Sequence, residues 1–274
     1  MRLGCCASMI APDRDPVGIE SIDSMASMGF DYAELSLAHM TLCSEETFEG
    51  LVARVDASGL QCEACNNFFP PRLRLTGPDA DLDAALGYAT LAMERAARLG
   101  VEVIVLGSSG AKNVPPGFPF AGARLQFLEL LLGLAPLADE YGTTIAIEPI
   151  SRPEANFVNK TGEGLALVRE VDHPRVRLLV DYFHMAGESE DPAAILEAGD
   201  VISHVHFARP GDRVFPTSWE ERFEPFLQAL GDIGYAERLS IEAFTGDFKA
   251  DGPKALDLLR QMLGPGLPGP PTSG

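Results

Sequence analysis

The chain repeats one pattern along most of its length: an amphipathic helical stretch, a break, and a short apolar run that ends at a polar residue. Glycine suits such a break because it supplies the left-handed conformation that commonly ends a helix before a strand. Six breaks are glycines and one is an Asp-His-Pro segment: Gly29, Gly59, Gly100, Gly142, residues 172–174, Gly199 and Gly234. Each interval has the length of one strand, one helix and their loops.

Eight apolar runs in this pattern are predicted to be strands. They are residues 2–8, 32–37, 60–65, 101–106, 143–148, 176–181, 201–206 and 239–242. Eight strands alternating with helices indicate an α/β protein whose parallel sheet closes into a (β/α)8 TIM barrel, in a single domain. The rival fold is an open doubly wound sheet, but no G-x-G-x-x-G turn follows the first run.

The chain length fits one such domain. Its 274 residues, 46% of them hydrophobic, are enough for one sizeable core and too few for two full domains. We expect the barrel to occupy residues 1–263. Residues 264–274 (GPGLPGPPTSG) are mostly glycine and proline, so we expect a flexible tail there. Residues 1–11 have weak features of a signal peptide, but their removal would delete the first strand.

Charge and cysteine content restrict the partners and the compartment. The 40 acidic and 21 basic residues give a net charge of −19, which opposes binding to nucleic acid or to an anionic membrane surface. The uncharged stretches fall short of the roughly 18 apolar residues that a transmembrane helix needs, so none is expected. Five cysteines, an odd number, favour reduced thiols and therefore the cytoplasm.

Four of the predicted strands end in a residue that can bind a metal ion: Glu148, Asp181, His206 and Glu242. The carboxyl ends of barrel strands open on one face, so these side chains are expected to converge. Three carboxylates that close cannot all stay ionised without a cation. Together with one imidazole they suit one divalent ion, Mn²⁺ first, with Mg²⁺, Co²⁺ or Zn²⁺ as alternatives. A single acidic residue at a strand end is usually a capping or turn residue. The prediction of a metal site therefore rests on the four residues together.

Four short motifs surround these strand ends. They are E-P-x-x-R-x-E-x-x-x-x-N from Glu148 to Asn159, D-Y-F-H-M from Asp181, H-V-H ending at His206, and S-I-E ending at Glu242. This set resembles the sugar isomerase and epimerase family with a xylose-isomerase-like barrel, which includes ketose 3-epimerases, hydroxypyruvate isomerases and inosose dehydratases. The resemblance follows strand order over nearly the whole chain.

The resemblance implies roles for these residues. Glu148, Asp181, His206 and Glu242 would be the metal ligands, and the two glutamates would also be an acid/base pair on opposite faces of the substrate carbon. His184, Glu154 and Arg213 would contact substrate oxygens. Asn66, after the third strand, is predicted to reach the same pocket. Glu34, near the end of the second strand, is expected either to reach the pocket floor or to pair with an arginine.

These residues predict chemistry on the carbon beside a carbonyl group. A carboxylate removes a proton there, and a divalent ion stabilises the enediolate that results. Return of a proton to the opposite face inverts the centre, whereas return to the neighbouring carbon exchanges aldose and ketose. We therefore expect a metal-dependent sugar isomerase or epimerase, with an inosose-type dehydratase as the alternative.

Two other classes of protein are alternatives. A DNA-repair endonuclease of the related barrel group needs histidines at the ends of strands two and three, where this chain has Glu34 and Cys65-Asn66-Asn67. An inert ligand-binding barrel would be favoured by loss of an acid/base glutamate, and both are present. We expect a small sugar or polyol as the partner, with no nucleic acid or membrane. A homodimer or homotetramer is compatible with the sequence, which does not choose between them.

Overall fold

Eight parallel strands form a closed barrel in the computed structural model, which describes residues 1–263. The strands are β1 (Arg2–Cys6), β2 (Tyr32–Ser36), β3 (Cys62–Asn66), β4 (Val103–Leu106), β5 (Thr144–Ile147), β6 (Val176–Asp181), β7 (Ile202–Phe207) and β8 (Arg238–Ile241). They pair in chain order, and β8 pairs with β1 to close the ring. The predicted TIM barrel is therefore confirmed, and each predicted strand overlaps an observed one. The predicted tail lies outside the described residues.

The described residues also form eleven α-helices. They are α1 (Ile22–Met28), α2 (Leu37–Leu42), α3 (Glu45–Ser58), α4 (Leu82–Arg98), α5 (Ser109–Lys112), α6 (Phe120–Glu140), α7 (Thr161–Val171), α8 (Tyr182–Gly187), α9 (Ala193–Ala198), α10 (Glu224–Asp232) and α11 (Phe248–Met262). The short helices α2, α5 and α8 lie just after strands β2, β4 and β6. The sequence did not predict them, because four to six residues are too few to show a helical period.

The helix ends explain why the chain breaks where it does. Gly29 and Gly59 end α1 and α3 with φ angles of 86° and 70°. Asp172 ends α7 with φ of 48° and so takes the place of a glycine in the longest interval of the repeat. A left-handed residue at each of these positions turns the chain back toward the next strand.

The barrel interior is filled by its own small apolar cluster, separate from the larger core between strands and helices. The interior cluster consists of Tyr32, Ala64, Val103, Val105, Ala146 and Leu179. The tyrosine ring fits because its register partner is Gly4, where a β-carbon would collide with the ring. The barrel is therefore packed and not hollow.

An ion-pair cluster joins the first, third and last strands at the amino-terminal end of the barrel. Arg238 Nε donates to Glu63 Oε2 at 2.7 Å, and Arg2 Nε donates to the same oxygen at 3.1 Å. Arg238 also pairs with Glu102 at 2.7 Å. Because Arg2 and Arg238 begin β1 and β8, this cluster lies where the barrel closes.

Helix α6 is the longest of the described helices and is rich in apolar residues. By length and composition this 21-residue helix, with a mean hydropathy of 1.3 over its best window, is apolar enough to cross a membrane. The uncharged stretches of the sequence are short here because Arg124 and Glu129 interrupt them. These two charges lower the mean hydropathy of the helix only slightly. In the fold, α6 belongs to the outer layer of the barrel and buries Phe127, Leu131 and Leu134 in the core.

Candidate active site

The four predicted strand-end residues converge at the carboxyl end of the barrel. Glu148 directly follows β5, Asp181 ends β6, His206 lies in β7, and Glu242 directly follows β8. The Nδ1 atom of His206 lies 3.2 Å from Glu148 Oε1, 3.3 Å from Glu242 Oε2 and 3.9 Å from Asp181 Oδ2. One imidazole nitrogen therefore faces three carboxylates, as the order of the strands predicts.

Burial and crowding shift the pKa values of this group. Burial, with repulsion from Glu242 and Glu148, raises the pKa of Asp181 although His184 opposes the shift. Burial also disfavours ionised Glu242, but His206 and Arg213 outweigh it and hold the pKa of Glu242 below its ordinary range. Burial disfavours charged His206, yet Glu34 and Glu242 raise its pKa well above the ordinary value. Much positive charge is thus needed to keep three buried carboxylates together.

The chemistry of the donors fits a hard divalent ion. Ligand atoms of Glu148, Asp181, His184 and Glu242 all lie within 4.8 Å of one another, and His206 Nδ1 lies beside the same carboxylates. Carboxylate oxygens with an imidazole nitrogen are a donor set typical of Mn²⁺ and related ions. The geometry therefore brings two histidines to the carboxylate cluster, one of which, His184, the sequence assigned to substrate.

His184 is held from two sides in α8. Its backbone N–H donates to Asp181 Oδ1 at 2.9 Å, which caps the start of the helix. Its ring Nδ1 lies 3.0 Å from Ser151 Oγ. The D-Y-F-H-M motif thus fixes the carboxylate and the imidazole relative to each other within one turn of chain.

A small cavity of about 150 Å³ opens above this cluster. It is lined by Met9, Asn66, Asn67, Ser108, Ser109, Glu148, Ile150, Glu154, His184, Arg213 and Glu242. Six of the predicted site residues therefore line one cavity: Asn66, Glu148, Glu154, His184, Arg213 and Glu242. Asp181, His206 and Glu34 do not line it. A larger groove of about 650 Å³ between the start of α6 and α7 contains none of the strand-end residues. The smaller cavity is the candidate site, because the titratable groups converge there.

Arg213 reaches the cavity from the loop after β7. Its guanidinium lies 2.5 Å from Glu242 Oε2, 3.0 Å from Glu154 Oε2, and 5.0 Å from the centre of the Phe183 ring. The backbone at Arg213 has φ of 53°, and its carbonyl accepts from Phe244 N at 2.8 Å. The loop therefore holds an unusual conformation that aims this cation at the two glutamates.

Glu34 lies below the cavity and not in its wall. It is fully buried, and its carboxylate accepts from His204 Nε2 at 2.8 Å, from His206 Nε2 at 2.9 Å and from Ser240 Oγ at 2.5 Å. The sequence left two roles open for Glu34, a contact with the pocket or an ion pair with an arginine. The structure instead gives Glu34 two histidine partners, because β2 faces β7 across the barrel interior.

Several residues near the cavity were missed by sequence reasoning. Gly107 lies beside Glu148, as the pairing of Leu106 with Ile147 implies, so the strand register was a usable signal. Lys112 is fully buried in α5 and donates from Nζ to the backbone oxygen of Glu148 at 2.8 Å. Burial lowers the pKa of Lys112 to about 8. A lysine in a loop rich in glycine and serine carries no signal that it will be buried.

The closed barrel and the carboxylate–histidine cluster define a (β/α)8 barrel protein with a candidate metal centre. The family model described as "Xylose isomerase-like TIM barrel" matches residues 22–263. The chain belongs to this family, which confirms the resemblance carried by the four motifs.

Curated relatives agree with the family assignment, and a solved structure agrees with the fold. The chain is 27% identical to the D-psicose 3-epimerase of Ruminiclostridium cellulolyticum over 227 residues, which cover 81% of this chain and 77% of that one. It is 25% identical to the ketose 3-epimerase of Arthrobacter globiformis over 96% of this chain and 89% of that one. A D-psicose 3-epimerase crystal structure determined with D-fructose superposes with a TM-score of 0.86 at 22% identity, covering 97% and 100% of the two chains. The prediction of an enzyme of the sugar isomerase and epimerase class is confirmed.

Proposed function

We propose that this chain is a divalent-metal-dependent isomerase or epimerase of a sugar or a related polyhydroxy carbonyl compound. The observation that carries the proposal is the position of Glu148 and Glu242, which flank His206 Nδ1 at 3.2 and 3.3 Å and line one cavity. The two glutamates come from β5 and β8, three strands apart. A substrate carbon held between them could lose a proton to one carboxylate and receive a proton from the other.

Glu148, Asp181, His206 and Glu242 would hold the ion, which we propose to be Mn²⁺, with Mg²⁺, Co²⁺ or Zn²⁺ as alternatives. When bound, the ion supplies positive charge that stabilises the negative charge developing on the substrate oxygens. The buried position of the four side chains supports this assignment, because water is largely excluded from them.

The remaining residues of the cavity would orient the substrate. Arg213 and His184 offer donors to substrate oxygens, and the Glu154 carboxylate both anchors Arg213 and can accept from a hydroxyl group. Asn66 offers an amide in the wall of the same cavity. The names of the curated relatives favour a ketose as substrate and the carbon next to its carbonyl as the reacting centre.

The proposal includes a location and a partner. All five cysteines are free thiols, and the acidic chain has little affinity for polyanions, so we propose a cytoplasmic enzyme whose partner is a small sugar or polyol.

Hydrogen exchange with heavy water tests the function. Purified protein is analysed for bound metal and then incubated in heavy water with a panel of ketoses, hydroxypyruvate and inososes, and mass spectrometry and NMR follow the products. We expect deuterium on one carbon beside the carbonyl of a ketose. Loss of water from an inosose would instead identify the dehydratase alternative. Absence of exchange in every compound, with metal bound, would refute the proposal.

A further inference from the structure

The lower side of His206 is held by a fully buried carboxylate. Glu34 Oε1 lies 2.9 Å from His206 Nε2, and Glu34 Oε2 lies 2.8 Å from His204 Nε2. None of these three side chains has exposed surface. Glu34 therefore cannot touch a substrate in the cavity. Any effect of Glu34 on the site must pass through the two histidines that it contacts.

The hydrogen bond fixes which nitrogen of His206 carries a proton. An ionised carboxylate can only accept, so His206 Nε2 must donate to Glu34. The other nitrogen, Nδ1, then faces the carboxylates of Glu148 and Glu242 with its lone pair, which can bind an ion held between them. A neutral imidazole has one donor and one acceptor nitrogen, and its partner on one side decides what it offers on the other.

Other buried groups hold Glu34 itself in place. Ser240 Oγ donates to Glu34 Oε2 at 2.5 Å, and Ser240 in turn accepts from the Tyr32 hydroxyl at 2.7 Å. The Tyr32 ring is packed inside the barrel against Gly4. The carboxylate is thus tied to β8, β2 and β7 and has little freedom to move.

We propose that Glu34 is a positioning residue that holds His206 with Nε2 protonated and Nδ1 directed at Glu148, Asp181 and Glu242. Its effect is to present a ready ligand nitrogen to a divalent ion in the carboxylate cluster. The inference rests on the proposed function, because it concerns the ion site of that enzyme.

The same residues offer one competing arrangement. Cys6, Glu34 and His206 lie close enough together to hold an ion of their own. However, Glu34 already makes direct hydrogen bonds of 2.8 and 2.9 Å to the two histidines, and Cys6 Sγ is 3.9 Å from His206 Nε2. The bond from His206 to Glu34 uses the ring nitrogen that a second ion would need, so we assign Glu34 to positioning and not to ligation.

The test measures Mn²⁺ affinity in the full chain by equilibrium dialysis after removal of bound metal. We expect wild type to bind one Mn²⁺ per chain, and Glu34→Gln to raise the dissociation constant by about 10- to 100-fold, the effect typical of lost outer partners of a ligand histidine. The matched control is Glu63→Gln, which removes another buried barrel carboxylate that bonds arginines at the opposite end. It should lower the melting temperature and leave Mn²⁺ affinity within about twofold, since it lies far from the ligands.

Three results would overturn the inference. One is a Glu34→Gln chain that melts lower in EDTA, like the control, yet binds Mn²⁺ as tightly as wild type, since a merely structural carboxylate behaves this way. Another is a second ion per chain that disappears in Glu34→Gln, which would make Glu34 a ligand. A wild-type chain that binds no divalent ion would overturn the ion site of the proposed function and this inference with it.

A second variant covers the case in which Glu34→Gln does not fold. Ser240→Ala removes one hydrogen bond to Glu34 and leaves the carboxylate in place. We expect a smaller loss of Mn²⁺ affinity, about threefold, because Glu34 gains freedom but keeps both histidine partners. An unchanged dissociation constant in Ser240→Ala would then count against the positioning role.

Discussion

Gly107 packs against the side chain of Glu148 so closely that a β-carbon at position 107 would overlap the Oε2 atom. The contact follows from the register of two neighbouring strands, in which Leu106 of β4 pairs with Ile147 of β5. The end of β4 carries no ligand of its own in the cluster, and its contribution is the space that the Glu148 carboxylate occupies.

Gly107→Ala should therefore displace Glu148 and reduce hydrogen exchange by at least about tenfold, since a shift of about 1 Å is costly in catalysis. Exchange of substrate hydrogen with heavy water measures the effect, with circular dichroism to confirm the fold. Gly87→Ala is the matched control, because a β-carbon there meets nothing within 4 Å in helix α4. The control should retain exchange and gain about 0.5–1 kcal/mol of stability. Full activity in Gly107→Ala would show that Glu148 need not occupy this position.

Glu242→Gln should greatly slow the exchange of substrate hydrogen and preserve most of the fold. The amide keeps the size of the side chain but can neither accept nor return a proton, so we expect a loss of about 10² to 10⁴ in rate. Rates of exchange and thermal melting measure the two effects. Glu224→Gln, at an exposed glutamate in α10, should leave both unchanged. Unchanged turnover in Glu242→Gln would remove this residue from the acid/base pair.

Removal of divalent ions should destabilise the protein, and Asp181→Asn should partly reverse that loss. Burial and the neighbouring Glu242 and Glu148 raise the pKa of Asp181, so its charge is unfavourable without a cation. In EDTA we expect Asp181→Asn to melt above wild type, whereas added Mn²⁺ should raise the melting temperature of wild type more than that of the variant. The amide oxygen can still accept from His184 N and cap α8. Equal Mn²⁺-dependent shifts in both proteins would argue against Asp181 as a ligand.

Tyr88 should make the protein lose stability in alkali. Burial raises the pKa of Tyr88 from 10.0 to about 12, and its hydroxyl donates to the Phe68 carbonyl at 2.9 Å. Below pH 10 both states keep the proton, and between pH 10 and 12 only the unfolded state loses it, so stability falls with rising pH.

The comparison of wild type with Tyr88→Phe isolates this contribution. At pH 8 we expect wild type to be more stable by about 1 kcal/mol because of the hydrogen bond. By pH 12 this difference should shrink and reverse, with a total change of up to about 3 kcal/mol. Denaturant unfolding at several pH values measures both quantities. A difference that does not vary between pH 8 and 12 would show that the Tyr88 hydroxyl has no raised pKa.

The barrel was predictable because its signals are local. Each strand after the first follows a residue with a positive φ angle, such as Gly59 or Asp172. The polar residue that closes an apolar run marks the carboxyl end of a strand. Once strand order is known, the meeting of Glu148, Asp181 and Glu242 follows from the topology of a closed sheet.

Contacts across the barrel interior were not predictable in the same way. Glu34 and His206 are 172 positions apart on strands that do not pair, and their contact depends on how side chains fill the interior. The burial of Lys112 depends likewise on the path of the loop after β4 and not on its composition. Sequence periodicity gives the face of a strand but not the neighbour that faces it from the opposite wall.

The ion-pair cluster of Glu63 with Arg2 and Arg238 closes the barrel at the end remote from the proposed catalytic groups. The residues that hold the barrel closed are therefore separate from those proposed to carry out the reaction. Substitutions in the cavity loops could therefore change the substrate without weakening the contact between the first and last strands.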